Sequence, residues 1–152
     1  MFNPKALLSI SAASLVGYTF EPKFPGGEGI GATITVRGPE SEPVKRLVRE
    51  QLAQAQAREL AARKRGRDPE PLTLDEMRNQ AIDLAVAYTI GWDGFMDGDT
   101  PLEPLEANLR AVYTDHSWLR RQVIEEAQDL GNFVQRTGKP SSNTLAPSSG
   151  ST

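Results

Sequence analysis

Cysteine is absent from this chain of 152 residues, and histidine occurs only once. The lack of cysteine excludes disulfides, zinc–thiolate sites and thiol nucleophiles, and it gives no support for an oxidising compartment. Long apolar runs are missing too, since none approaches the roughly 18 residues that a membrane span needs. Apolar residues make up 38% of the chain, which is below the usual level. Part of the chain is therefore expected to stay unpacked or to bury its surface against a partner.

A secretory signal peptide is a poor fit to the N-terminus. Lys5 is the one early positive charge, and Ser9, Ser11 and Ser14 interrupt the apolar residues of 7–16. A signal peptide has a continuous apolar stretch behind a positively charged start. We therefore expect the protein to reside in the cytoplasm.

Positive and negative charges are separated along the chain, whose formal net charge is −3. The basic residues of 44–67, set against Glu50 and Glu59, are Lys45, Arg46, Arg49, Arg58, Arg63, Lys64, Arg65 and Arg67. Acidic residues outnumber basic ones from 68 to 129. A basic arm beside an acidic body can pair with itself, with a second copy or with a charged partner. The charge pattern alone leaves these three open.

A single α+β domain is expected over 1–136, mainly α-helical with about four helices, followed by a disordered tail over 137–152. Its N-terminal element, 1–40, is predicted to be β-rich. Strand-forming residues at 18–20 and 33–36 flank the glycine-rich turn 25–29, which predicts a small hairpin. Because an isolated hairpin is marginal in water, this one should pack on the helices or join a neighbour's sheet.

Residues 44–67 are predicted to form a basic helix, and 73–136 a helical core. The apolar stripe that begins at Val44 thins along the basic helix, which is typical of a helix that projects into solvent or meets a partner. Thr73 and Glu76 have the spacing of a capping box at the start of a central helix. The apolar pattern of the central helix continues through Ile90, and its aliphatic part is predicted to span 81–94.

Two shorter helices are predicted after an acidic turn. Pro104 can open the first of them, with Leu105, Leu109 and Val112 facing inward. Asp115 or Ser117 would cap the second. The inward stripe of the second helix, within which Gly131 is able to end it early, is Leu119, Val123, Ala127, Leu130 and Val134.

The acidic turn is a poor match to an EF-hand calcium loop. A loop that starts at Asp93 would place Asp97 and Gly98 correctly. It would also place Phe95 at position 3 and Pro104 at position 12, where a carboxylate ligand and a bidentate glutamate belong. An acidic, solvated turn is the expected structure, and we predict no metal site.

No catalytic constellation is visible elsewhere. His116 has no companions in a recognisable nucleophile or metal pattern, and it is expected at the start of the last helix. The glycines of 25–31 lack the lysine and hydroxyl residue that follow the last glycine of a phosphate-binding loop, so they predict a turn. We therefore expect neither enzymatic activity nor a cofactor.

The features that remain point to binding. The basic helix could lie on nucleic acid, but the acidic pI of about 5.2 and the interrupting glutamates disfavour it. The large aromatics of the C-terminal half either wedge the helices together or act as hot spots for a partner. The candidate partner-binding residues are Val44, Leu47, Val48, Arg49, Leu52, Arg58, Trp92, Phe95, Trp118 and Phe133.

The order of these elements resembles the tail assembly chaperones of long-tailed bacteriophages, over about residues 20–133. The matching segments are Pro25-Gly26-Gly27, the charged helix 44–65, the aliphatic helix 81–94 entering Trp92-Asp93-Gly94, the proline-started helix 104–113, Trp118-Leu119 and Asn132-Phe133. Glu103 departs from the family pattern, in which a threonine before the proline is more typical.

The resemblance implies a non-enzymatic function. Proteins of this family bind the long, aggregation-prone tape measure protein before the tail tube polymerises around it, and they recruit tail tube subunits. For this chain the resemblance implies those two partners in the cytoplasm of the infected bacterial host. The contacts would lie on the exposed side of helix 44–65 and near Trp92.

Two other functions remain open on the sequence. One is a structural tail or head–tail component that is retained in the virion, and the other is a small nucleic-acid-binding regulator. Self-association is left open as well, whereas no association with a membrane is expected.

Overall fold

The structure, a computed structural model, describes residues 17–133. In chain order the elements are β1 (Tyr18–Phe20), β2 (Thr33–Val36), α1 (Glu42–Lys64), α2 (Leu74–Tyr88), β3 (Thr89–Asp93), β4 (Met96–Asp97), β5 (Thr100–Pro101), α3 (Glu106–Asp115), α4 (Ser117–Gln128) and a 3-10 helix (Leu130–Phe133). Within this range the predicted α+β, mainly helical class with four α-helices is confirmed. The expectations for residues 7–16, Val134 and the tail 137–152 lie outside the described residues.

The predicted N-terminal hairpin is present. Strands β1 and β2 pair antiparallel, with Tyr18 opposite Val36 and Phe20 opposite Ile34. In the loop between them the backbone N–H of Phe24 donates to the carbonyl oxygen of Glu28 at 2.7 Å. The glycine-rich segment is thus a turn leading into a strand, as its sequence predicts.

Strand β3 corrects the prediction that the central helix continues through Ile90 and its aliphatic segment to residue 94. Helix α2 ends at Tyr88, and β3 pairs antiparallel with β2, which places Trp92 opposite Ile34. The segment contains two β-branched residues and a glycine, all poorer helix formers than alanine or leucine. Pairing with the free edge of β2 gives the backbone N–H and C=O groups of this segment hydrogen-bond partners without a longer helix.

The sheet order is β1-β2-β3, and a second antiparallel pair, β4 and β5, occupies the predicted acidic turn. Gly94 connects the two sheets with a φ of 88°, a conformation that favours glycine. A Cβ at this position would also lie 3.1 Å from the Cα of Ala32. The turn therefore requires glycine both for its backbone conformation and for close packing.

Helix α1 begins two residues earlier than the predicted start at 44, with a proline in its first turn. It ends at Lys64, before the predicted limit of 67, and Gly66 follows with a φ of 69°. A glycine in this conformation is a common end to a helix. The predicted capping box of α2 is confirmed, since the Glu76 N–H donates to Thr73 Oγ1 at 3.1 Å and the Thr73 N–H donates to Glu76 Oε1 at 2.9 Å.

The last two helices differ from the prediction at their ends. Helix α3 begins at Glu106, and Leu105 is its exposed N-cap residue instead of an inward one. His116 is the residue that precedes α4, which ends at Gln128. The chain then turns into the 3-10 helix, so Leu130 is exposed and does not continue the α4 stripe.

The core lies between the sheet and the helices, with α2 as the central helix that packs against α1, α3 and α4. The buried residues that form it are Ile34, Val36, Val44, Ala85, Tyr88, Leu109, Tyr113, Leu119, Val123, Ala127 and Phe133. Within 17–133, no helix combines the length and the apolar content that crossing a membrane requires.

Candidate partner-binding surface

One side of helix α1 carries large apolar side chains that face solvent. Val48, Leu52 and Leu60 expose 47%, 56% and 55% of their surface. They are separated by four and eight residues, so they follow one i+4 line along the helix, with Gln56 between Leu52 and Leu60. We call these three residues the exposed apolar row. Helix α1 packs mainly against α2, which is why this side remains open.

Basic side chains on the same helix are held by nearby carboxylates. Glu42 accepts from Arg49 at 3.2 Å and lies 3.6 Å from the Lys45 ammonium, while Glu59 pairs with Arg63 at 2.6 Å. The hydrogen bond from Arg49 and the charge of Lys45 lower the pKa of Glu42. These pairs are exposed, and exposed pairs exchange partners at little cost. The helix can therefore offer guanidinium groups to an acidic partner.

Three of the predicted partner-binding residues hold the fold together instead. Val44 and Phe133 are each only 1% exposed and belong to the core. Arg58 donates to Glu76 Oε2 at 2.9 Å and to the carbonyl oxygen of Glu70 at 3.0 Å, so it fastens α1 to the start of α2. Val44 and Phe133 are therefore closed to a partner, whereas the Arg58 side chain is still 36% exposed.

The predicted aromatics lie in separate local packing arrangements. Trp92 and Phe95 stack with their ring centroids 4.1 Å apart, and the Trp92 indole N–H donates to the carbonyl oxygen of Leu102 at 2.7 Å. Trp118 instead contacts Phe24 with a centroid distance of 5.7 Å. The exposed Phe24 ring was not among the predicted candidates. Val48, Arg49 and Leu52 thus lie near one another on α1, whereas the predicted aromatics pack elsewhere.

A groove between α1, α2 and α3 was also missed by sequence reasoning. It is open to solvent and has a volume of about 320 Å³. Its lining includes Leu47 and Glu50 from α1, Asp83 and Val86 from α2, and Glu106 and Arg110 from α3. The four-residue spacing of Glu106 and Arg110 is visible in the sequence. The 2.8 Å contact between Arg110 and Asp83 joins residues far apart in the chain, and no local pattern signals it.

The residues considered for metal binding or catalysis in the sequence lie apart from one another in the described part of the chain. Between residues 17 and 133, the structure brings no three metal-ligating side chains of histidine, cysteine, aspartate or glutamate together. The acidic turn is occupied by the β4–β5 hairpin. The His116 ring is exposed and meets the edge of Trp118, with centroids 5.8 Å apart.

Comparisons with family models, with curated proteins and with solved structures find no significant match to this chain.

Proposed function

We propose that this chain is a non-enzymatic tail assembly chaperone of a long-tailed bacteriophage. It binds the tape measure protein and helps to recruit tail tube subunits in the cytoplasm of the infected host. The observation that carries the proposal is the exposed apolar row on α1, beside basic side chains whose carboxylate partners are solvent-exposed. The order of sequence elements supports it, from Pro25-Gly26-Gly27 to Asn132-Phe133.

The size of the apolar row suits weak, repeated contacts with a long client. Fully burying a valine or leucine side chain is worth about 1.5–3 kcal/mol. Because the three residues are already about half covered, a client helix gains about half of that from each. Association itself costs at least about 4 kcal/mol, so one contact is weak. Many copies along one client can still hold it, since linked weak sites reinforce one another.

The contacts of the basic residues favour a protein partner over nucleic acid. Four of the cations on α1 already lie within ion-pair distance of a carboxylate, namely Lys45, Arg49, Arg58 and Arg63. A phosphate backbone lying along this helix would meet the glutamates Glu42 and Glu59 as well as the cations. A helical protein segment can instead cover the apolar row and form its own pairs at the edges.

Co-expression with the tape measure and tail tube proteins of the same bacteriophage tests the proposal. The wild-type chain should co-purify with one or both of them. The double variant Leu52→Gln/Leu60→Gln should lose most of this association, because glutamine keeps the helix but removes the apolar surface. A matched control is Leu74→Gln/Leu105→Gln, which changes leucines that are 81% and 59% exposed outside the row.

The control variant should co-purify as the wild type does. Equal loss in both variants would mean that the row is not the binding surface. A wild-type chain that associates with neither protein would contradict the proposed function. Mass spectrometry of purified virions separates it from a retained structural component, because a chaperone is absent from the mature particle.

A further inference from the structure

The groove between α1, α2 and α3 lies on a different side of α1 from the exposed apolar row. Leu47 and Glu50 are three residues apart and face the groove together. Leu52 is five residues beyond Leu47, which places it about 140° further around the helix. Leu52 and the groove at Leu47 therefore lie on different sides of α1.

The groove combines apolar walls with an excess of negative charge. Leu47 and Val86 are half-buried within it. Arg110 is its only cation, and it is shared between Asp83 at 2.8 Å and Glu106 at 3.2 Å. The hydrogen bond that Arg110 donates to Asp83 raises the pKa of Arg110, so the guanidinium stays charged. Among the described residues no ion pair reaches Glu50, which leaves the groove with three carboxylates against one cation.

We propose that this groove binds an amphipathic helical segment of a partner protein, in which leucine-like side chains lie one turn from lysine or arginine. The apolar side chain would enter between Leu47 and Val86. The cation would meet Glu50 and the outward face of Glu106, whose side chain is 72% exposed. The surplus of two negative charges selects this chemistry, because a neutral or acidic segment would leave Glu50 unpaired. The inference does not depend on the identity of the client that the apolar row binds.

A designed peptide titrated into the full chain tests the inference. The probe is a helical peptide of about 15 residues with leucines on one face and arginines beside them. Its control carries glutamates in place of the arginines. Methyl NMR should show the arginine peptide shifting Leu47 and Val86 while leaving Leu52 and Leu60 unmoved. High salt should weaken the binding, since the carboxylates of Glu50 and Glu106 are exposed to solvent.

Removing the charges of Glu50 and Glu106 should reduce the affinity for the arginine peptide without unfolding the chain. Glu50→Gln/Glu106→Gln should weaken the binding of the arginine peptide by about threefold to tenfold, as expected for two exposed ion pairs. Glu40→Gln/Glu125→Gln removes the same net charge from exposed positions outside the groove and should leave the affinity within about twofold. Thermal unfolding of both variants checks that the fold is intact. If the double variant unfolds, Glu50→Gln alone replaces it.

Several outcomes would overturn the inference. Equal binding of the glutamate peptide would show that charge does not select the partner. Methyl shifts at Leu52 and Leu60, or spread over the whole surface, would place binding elsewhere. Self-association in sedimentation experiments that disappears in Glu50→Gln/Glu106→Gln would assign the groove to a second copy of this chain. Loss of tape measure binding would bear only on the proposed function, because this assay contains no client.

Discussion

At the scale of single residues, one buried hydrogen-bond chain joins three elements of the core. The Thr89 hydroxyl donates to the carbonyl oxygen of Ala85 at 2.8 Å and lies 2.7 Å from the Tyr113 hydroxyl. Because a hydroxyl has one proton, Tyr113 must be the donor in the second bond. Burial raises the pKa of Tyr113 to about 12, so that proton is present throughout the neutral range. The chain links the end of α2 and the start of β3 to α3.

The direction of these bonds predicts an asymmetry between two substitutions. Tyr113→Phe removes a donor but leaves Thr89 bonded to Ala85, so it should cost about 1 kcal/mol. Thr89→Val keeps the side-chain shape but leaves the Tyr113 proton buried without an acceptor, which should cost roughly 1–3 kcal/mol. Urea denaturation of both variants and of the double variant measures this. The double variant should cost less than the sum of the two, and a larger loss for Tyr113→Phe than for Thr89→Val would contradict the assignment.

At the scale of elements, helix α1 depends on a small number of polar contacts with its neighbour. Arg58 uses Glu76 Oε2, whereas Glu76 Oε1 serves the capping box of α2. The two oxygens of the Glu76 carboxylate thus accept different hydrogen bonds. Removing Arg58 should loosen α1 without disturbing the start of α2.

Amide hydrogen exchange of Arg58→Met tests this division. Exchange in the C-terminal half of α1 should become about two- to fivefold faster, because a partly exposed ion pair contributes up to about 1 kcal/mol. Exchange at the start of α2 should not change. The matched control is Arg63→Met, whose partner Glu59 lies on the same helix, and its effect should be smaller. Equal effects of the two substitutions would show that Arg58 does not anchor the helix.

The elements also show where sequence patterns were sufficient. The Thr73–Glu76 spacing located the start of α2, because a capping box is made by residues three apart. The residue pattern of 18–20 and 33–36 located the hairpin for the same local reason. The end of α2 was missed, since Ile82, Val86 and Ile90 keep helical spacing. Pairing of β3 with β2 is a long-range contact that overrides this local pattern.

For the candidate partner-binding surface, too, the sequence predicted what depends on local spacing and missed what depends on tertiary packing. The thin stripe on α1 predicted open apolar surface, and Val48 and Leu52 are indeed exposed. Val44 and Arg58 lie on the same helix and could not be separated from them by spacing alone. Their environment depends on where α2 crosses α1, which is decided by tertiary packing. The groove beside α3 depends on three helices and was therefore beyond any local pattern.

At the scale of the whole molecule, the described residues form a packed core and leave two surfaces of α1 open. These surfaces are the exposed apolar row and the groove. The aromatics contribute mainly to the interior or to loops, as Tyr18 does by meeting the edge of the Phe133 ring with centroids 6.4 Å apart. The exposed apolar row is hydrophobic surface about half of which the described residues leave open. Exposed apolar residues along one helix are a common mark of a protein interaction site.

If the exposed apolar row serves a partner, it should contribute little to folding. Leu52→Gln/Leu60→Gln should change the free energy of unfolding by less than about 0.5 kcal/mol, as surface substitutions usually do. Val44→Ala, on the same helix but in the core, should cost about 2 kcal/mol through lost burial and packing. Urea denaturation followed by circular dichroism gives both values. A double variant as unstable as Val44→Ala would mean that the leucines support the fold, and it would leave the proposed chaperone without its binding surface.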